Sequence, residues 1–271
     1  MKKTILFTLL LFAQWSMFNV QCSMANAQNL YIGSFYVTTT DEEALYGDGG
    51  DKWATRRTPI CDMFNFEQPD VLGLQSATET QISYIATRLT NHNVAGNILY
   101  NKTTLELLEN GDVEDMPEGS TCSWAKLKKG EKAFYVFNIC FSTVQSTATS
   151  STTRLRSAIT EIKNENVPVF IVGFLGVNET KTPYSRMTQS LYNDCFKQAP
   201  VVSAEYGTVN NFDLAANHGT ERYDFIFASR TVSVKAYGQL QSGYFTKESD
   251  GSYKRRLLST HFPVMAKVTL P

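Results

Sequence analysis

The side chains able to do nucleophilic, acid–base or metal chemistry are few and scattered. There are three histidines, His92, His218 and His261, and five cysteines, Cys22, Cys61, Cys122, Cys140 and Cys195. No two cysteines stand at the close spacing of a zinc knuckle, so a structural metal site is not encoded locally. Buried free thiols with at most one bridge are expected. Asn91-His92-Asn93 and Asn217-His218-Gly219 are polar contexts that predict solvated imidazoles. Lys254-Arg255-Arg256 is the one basic cluster, and a solvated strand end is its simplest reading.

These residues hang on alternating strand-like and helix-like segments. Apolar and β-branched runs predict strands at 30–38, 71–74, 96–100, 104–108, 133–141, 167–172, 224–228 and 264–270, with a ladder over 232–244. Three- and four-residue apolar spacing predicts helices over 53–66, 78–90, 151–166 and 183–198. Gly47-Asp48-Gly49-Gly50 is a turn cluster, and Ser142–Thr153 reads as a Ser/Thr-rich loop. Strand–helix–strand units interleaved with hairpins suggest two packed mixed sheets covered by helices. No repeat and no linker divides residues 28–271.

The amino terminus carries Lys2 and Lys3, then an apolar run from Thr4 to Trp15, then Ala25-Asn26-Ala27. That is the pattern of a cleaved export signal over residues 1–27, leaving a chain that begins at Gln28 and is secreted. Cys22 keeps a lipid-anchored alternative open, although Asn19-Val20-Gln21 before it is a poor lipobox. No later segment approaches the roughly 20 continuous apolar residues of a membrane span. Without Lys2 and Lys3 the formal charge falls from −1 to −3. Such a balance lacks the basic footprint of a protein that grips nucleic acid by its phosphates.

Several segments, in order, resemble the endonuclease/exonuclease/phosphatase family in its secreted bacterial branch. Phe35 and its strand are similar to the opening "SFN" strand. Gly47 to Gly50 with Trp53 and Arg56 or Arg57 resemble the turn and helix that follow. Pro69-Asp70-Val71-Leu72-Gly73-Leu74-Gln75 is similar to "PDVLGLQE", and Phe134-Tyr135-Val136-Phe137-Asn138 to the strand ending "FNTH". Val169 to Gly173 resembles the strand before "GDFN". Tyr223 to Phe227 resembles "IDYIF", and Ser259 to Val264 resembles "SDHFPV". The resemblance implies an α+β fold, a DNase I-like four-layer αββα sandwich of two mixed β-sheets flanked by helices. It also implies a site at one end of the sandwich, where Mg²⁺ or Mn²⁺ polarises a phosphoester.

The family's ligand positions carry other residues in this chain. Its first-strand Asn is Tyr36, its metal-binding Glu is Ser76, and its middle-strand His is Cys140. The Asp and Asn of "GDFN" are Phe174 and Gly176, and the Asp before the last His is Thr260. Asp224 and His261 keep the family identity, beside Gln75 and Asn138. Family geometry implies that Asp224 and His261 hydrogen bond, either as a residual acid–base pair or as a buried structural bond. A Cys140–His261 arrangement is a further alternative. Tyr36, Phe141, Phe174 and Phe262 are expected to fill the former site as core or to line a repurposed apolar pocket. The acidic stretch Asn110–Pro117 would repel a phosphate at its mouth. The expectation is a secreted pseudoenzyme with no Mg²⁺ or Mn²⁺ cofactor, a monomer that binds a small molecule, a glycan or a protein. The alternative is a weak metal-dependent phosphodiesterase or phosphatase.

Overall fold

The computed structural model describes residues 28–271 apart from 47, 49, 50, 190, 205 and 215–218. Residues 1–27, where an export signal is expected, with Cys22, and also His218 and three glycines of the 47–50 turn therefore lie outside the described residues. In chain order the elements open with β1 (Gln28–Tyr36), α1 (Thr40–Tyr46), α2 (Trp53–Glu67), β2 (Val71–Gln75) and α3 (Glu79–Arg88). Next come β3 (His92–Ala95), β4 (Ile98–Asn101), β5 (Glu106–Asp112), β6 (Thr121–Lys129), β7 (Lys132–Cys140) and α4 (Gln145–Ile162). Then follow β8 (Val169–Phe174), α5 (Thr182–Thr188), β9 (Tyr192–Asp194), α6 (Cys195–Gln198) and β10 (Val202–Ser203). The last are β11 (Asp224–Ser229), β12 (Ser233–Gln239), β13 (Gly243–Lys247), β14 (Tyr253–Leu257) and β15 (Val264–Leu270).

One sheet runs β10-β12-β15-β1-β2-β4-β3, the other β5-β6-β7-β8-β11-β9, and β13–β14 is a separate hairpin. Both sheets are mixed: β1–β2 and β7–β8 are parallel, while β1–β15 and β6–β7 are antiparallel. The layering follows from side-chain alternation along each strand. Phe134 and Val136 of β7 meet Ile32, Val71, Phe170 and Val264 in a core between the sheets. Tyr135, Phe137 and Ile139 point the other way, onto Leu155, Ala158 and Ile159 of α4. On the opposite outer face Phe35, Leu72 and Leu74 pack on Ile60 and Phe64 of α2 and Ile82 and Ile85 of α3. Strands buried on both faces read as unbroken apolar runs, as Val169-Phe170-Ile171-Val172 does. Each such side chain contributes roughly 1.5–3 kcal/mol when fully buried. The expected αββα sandwich is the observed one, and among the described residues no helix is long and apolar enough to cross a membrane.

Several local expectations are corrected. The Ser/Thr-rich stretch is mostly helix, because α4 starts at Gln145. Its hydroxyls bond the carbonyl four residues back, as in Thr149 to Gln145 and Thr152 to Ala148, so they do not compete with the helix. The helix expected over 183–198 breaks into α5, β9 and α6, since Tyr192–Asp194 pairs with the edge of β11. His92 is buried rather than solvated, with Nε2 2.7 Å from the Pro69 carbonyl oxygen. Arg256 is also buried, held by Asp48, Asp51 and Glu248, while Lys254 and Arg255 remain exposed. The stretch from Asn110 to Asp112 is ladder rather than loop, paired with β6. Cys61, Cys122, Cys140 and Cys195 are all free thiols.

Candidate functional site

Period-two alternation brings the candidate residues to one place. In β1, Leu30 and Ile32 face the core between the sheets, so Tyr36 faces it too. The same parity places Gln75 beyond Val71, Asn138 and Cys140 beyond Phe134 and Val136, and Phe174 beyond Phe170 and Val172. Asp224 shares the parity of Ile226 and Ala228. Register then sets them side by side: Tyr36 opposite Gln75, Cys140 opposite Phe174, and Asp224 opposite Phe174. The last shared core residues give way to this polar and aromatic group at one end of the sandwich.

His261 is its centre. Its Nδ1 lies 2.8 Å from Asp224 Oδ2, the hydrogen bond that the resemblance implied. Both residues are buried, at 7% and 1% exposure. Two aromatic rings flank the imidazole. Tyr36 stacks on it with centroids 4.0 Å apart and planes at 12°, and Phe174 meets it edge-on at 5.3 Å. Tyr36 and Phe174 also touch each other edge-to-face at 5.2 Å. Asp224 Oδ1 is buried without a hydrogen-bond partner.

The residue that sequence reasoning missed is Glu42. It lies in α1, whose amino end is a capping box: the Glu42 amide donates to Thr39 Oγ1 and the Thr39 amide to Glu42 Oε2 at 2.9 Å. Thr39-x-x-Glu42 was a readable helix-start signal. The same carboxylate accepts from the Tyr36 hydroxyl and, at 2.6 Å, from Ser76 Oγ. Burial alone would raise the Glu42 carboxyl, but the Ser76 and Tyr36 hydroxyls and the Thr39 donors outweigh it and hold it below its ordinary value. Burial and the bond to Glu42 push the Tyr36 phenol well above its usual range. Tyr36 is thus fastened at its hydroxyl while its ring covers His261.

The other positions are engaged elsewhere. Thr260 Oγ1 lies 2.6 Å from Thr38 Oγ1, whose own partner is Ser259 Oγ at 2.7 Å. Thr38 adopts φ 70°, unusual for a β-branched residue. Its carbonyl is held by Gln81 Nε2 and by Arg56, a fully buried guanidinium that also bonds Val37 O, Leu258 O and Glu43. Gly176 has φ 78°, and a Cβ there would lie 2.1 Å from Ser142 O, so this backbone path excludes any side chain. Burial pushes the Cys140 thiol up to about 12, with Glu42 and Asp224 adding to it. No hydrogen bond joins it to His261. Gln75 Nε2 donates to Asn138 Oδ1 at 2.6 Å, and Asn138 Nδ2 donates to Leu74 O and Asn97 O. Of the four aromatics, Tyr36 and Phe174 meet at His261; Phe141 joins the core under α4, and Phe262 clusters with Phe212 and Leu257.

The donor set does not suit a hard divalent cation. Among the described residues, no three His, Cys, Asp or Glu converge to hold one. Mg²⁺ and Mn²⁺ take hard oxygen donors, and the Glu42 carboxylate already accepts bonds from Tyr36, Thr39 and Ser76.

No protein-family model matches the sequence, and no curated protein matches it. Solved structures do match. An endonuclease/exonuclease/phosphatase family protein from Bacteroides thetaiotaomicron superposes with TM-score 0.82 at 23% identity, covering 90% of this chain and 99% of that one. A mannosyl-6-phosphatase of Bacteroides thetaiotaomicron VPI-5482 gives 0.79 at 23% identity, covering 88% and 99%. D. rerio TDP2, complexed with single strand DNA product, gives 0.63 at 17% identity, covering 89% and 99%. The fold is therefore that of the endonuclease/exonuclease/phosphatase proteins, with both a phosphatase and a DNA-product complex among the structures that share it.

Proposed function

We propose that this chain, built on the endonuclease/exonuclease/phosphatase fold, is a secreted pseudoenzyme whose former catalytic end serves binding rather than phosphoester hydrolysis. The observation that carries the reading is the covering of His261 by aromatic rings. Tyr36 lies on one face of its ring, Phe174 abuts it edge-on beside Tyr36, and the Tyr36 hydroxyl is tied to Glu42. An in-line displacement needs room beside the imidazole for a phosphate and a water. Aromatic rings occupy two of its sides. The resemblance also sets Phe174 and Ser76 against family carboxylates that would activate water and hold a cation. The reading gives this end of the sandwich a binding role toward a small molecule, a glycan or a protein.

Export rests on the sequence pattern of Lys2 and Lys3, the apolar run from Thr4 to Trp15 and Ala25-Asn26-Ala27, with cleavage after Ala27. Mass spectrometry of the exported protein tests this, and an acylated Cys22 would replace the secreted form with a membrane-anchored one.

A weak metal-dependent hydrolase is the second reading, favoured by the intact Asp224–His261 bond and the unpartnered Asp224 Oδ1. One assay separates the two. Purified wild-type protein is offered phosphomonoesters and phosphodiesters with Mg²⁺ or Mn²⁺. Background turnover supports the pseudoenzyme. Metal-dependent turnover that disappears in His261→Ala would overturn it.

A further inference from the structure

We infer that the groove between α4 and α5 is a binding site for a tetrahedral oxyanion, a phosphate or sulfate group, separate from the His261 end of the sandwich. The groove has a volume of about 570 Å³, within the range of small-molecule sites. One wall is a single stripe of α4. Thr153, Arg156, Ser157 and Thr160 recur at three and four residues and therefore share a helix face. This is the outward side of α4, whose inward side packs Ala148, Leu155 and Ala158 into the core. The core does not require hydroxyls or arginine on the outward stripe.

Arg186, in the last turn of α5, forms the facing wall. Its Nη1 donates to Thr153 Oγ1 at 2.6 Å, which fixes the guanidinium across the groove. Neither Arg156 nor Arg186 has a carboxylate partner among the described residues. The one acidic side chain lining the groove, Glu161, is taken by Arg154, whose Nη1 lies 3.2 and 3.0 Å from its two oxygens. Two permanently charged, planar donor forks thus line one groove, neither paired with a carboxylate among the described residues, beside the Ser157 and Thr160 hydroxyls. Guanidinium pairs with hydroxyl donors match the geometry and charge of a tetrahedral oxyanion. Leu191, half exposed at the rim, supplies an apolar edge for the organic part of an ester.

The test titrates inorganic phosphate, inorganic sulfate and phenyl phosphate into the purified protein at low salt, read by calorimetry and by backbone NMR shifts. Expected are saturable binding, shifts centred on α4 and α5, and weakening as salt rises. Tighter binding of phenyl phosphate than of phosphate identifies an ester as occupant, and equal binding identifies the free anion; either supports the site. Arg156→Gln and Arg186→Gln should each weaken binding about tenfold or more, the loss expected for one charge-assisted contact. Both positions are partly exposed, and unchanged circular dichroism checks that the variants fold. His261→Ala should bind as wild type does, which keeps this result independent of whether the protein hydrolyses phosphoesters. Absence of saturation with all three anions overturns the inference. So does an equal loss in the Lys235→Gln/Lys267→Gln double variant, because those lysines lie on the other sheet and would report only general charge.

Discussion

Tyr36 and His261 lie face to face, with ring centroids 4.0 Å apart and planes 12° from parallel. The stack joins the end of β1 to the segment before β15, and the two strands are themselves hydrogen-bonded neighbours. Its stability rests on a third residue from outside the sheet, because Glu42 anchors the Tyr36 hydroxyl.

Separating ring from hydroxyl tests this arrangement. Tyr36→Phe keeps the stack and loses one hydrogen bond to Glu42, and should cost about 1 kcal/mol. Tyr36→Ala removes a buried aromatic side chain and should cost about 3 kcal/mol or more. Urea unfolding gives both values. Carbethoxylation of His261 should quicken in Tyr36→Ala and stay slow in Tyr36→Phe, because only the first uncovers the ring.

Acid should weaken the fold through Glu42. Its carboxyl is held below the ordinary value in the folded protein. The stabilisation is therefore complete above the unfolded carboxyl value and lost as pH falls through the lowered folded one. Glu42→Gln should be less stable than wild type near neutrality. The gap should narrow as pH drops below the ordinary carboxyl value, which unfolding midpoints across that range would record.

His92 acts in a higher window. Burial lowers its pKa from the ordinary 6.5, against the opposing bond to the Pro69 carbonyl and the nearby Asp70. Its Nδ1 is buried without a partner. The unfolded chain takes up this proton near 6.5 while the folded one resists it, so stability falls as pH drops below that value and is unaffected above it. His92→Gln cannot titrate and should flatten this part of the pH–stability curve. A slope unchanged by the substitution would count against the assignment.

Rebuilding the family site by substitution should fail first at Gly176. A Cβ there would meet Ser142 O at 2.1 Å, and the backbone is in the left-handed region at φ 78°. Gly176→Asn and even Gly176→Ala should therefore each cost roughly 2 kcal/mol or more, by clash and by backbone strain. Ser76→Glu and Phe174→Asp replace residues that already carry a Cβ, so they meet no backbone clash, although Ser76 is itself in the left-handed region at φ 44°. Thermal melts of the three single variants would order them, with the glycine variant the least stable.

Loss of Arg56 should be more damaging still. Its guanidinium is fully buried, paired with Glu43 at 3.0 Å, and bonded to carbonyls of Val37, Thr38 and Leu258. Arg56→Met leaves Glu43 buried and those carbonyls without this donor, and should cost about 3–5 kcal/mol, measured by chemical unfolding.

Two mixed sheets covered by helices were legible in the sequence because strand alternation is local, while the four-layer sandwich and the membership of its polar end were legible through the family resemblance. Once Val71, Phe134, Phe170 and Ile226 are known to face inward, Gln75, Asn138, Phe174 and Asp224 must follow by counting in twos. The substitutions at Tyr36, Ser76, Cys140, Phe174, Gly176 and Thr260 were visible only because the resemblance sets those positions against family motifs; Ser76, Gly176 and Thr260 lie outside the strands. What these side chains bond to was not visible. Glu42 reaches Ser76 across 34 residues of sequence, and Thr38 reaches Thr260 across 222. His92 and Arg256 looked solvated because their neighbours in sequence are polar, yet packing against Pro69 and the Asp48–Asp51 segment buried them. The extension of α4 back from the expected start at 151 to Gln145 was likewise decided by the core, which receives Ala148. Periodicity sets which way a side chain points; only the crossing of distant segments decides which group waits there and whether it can offset desolvation.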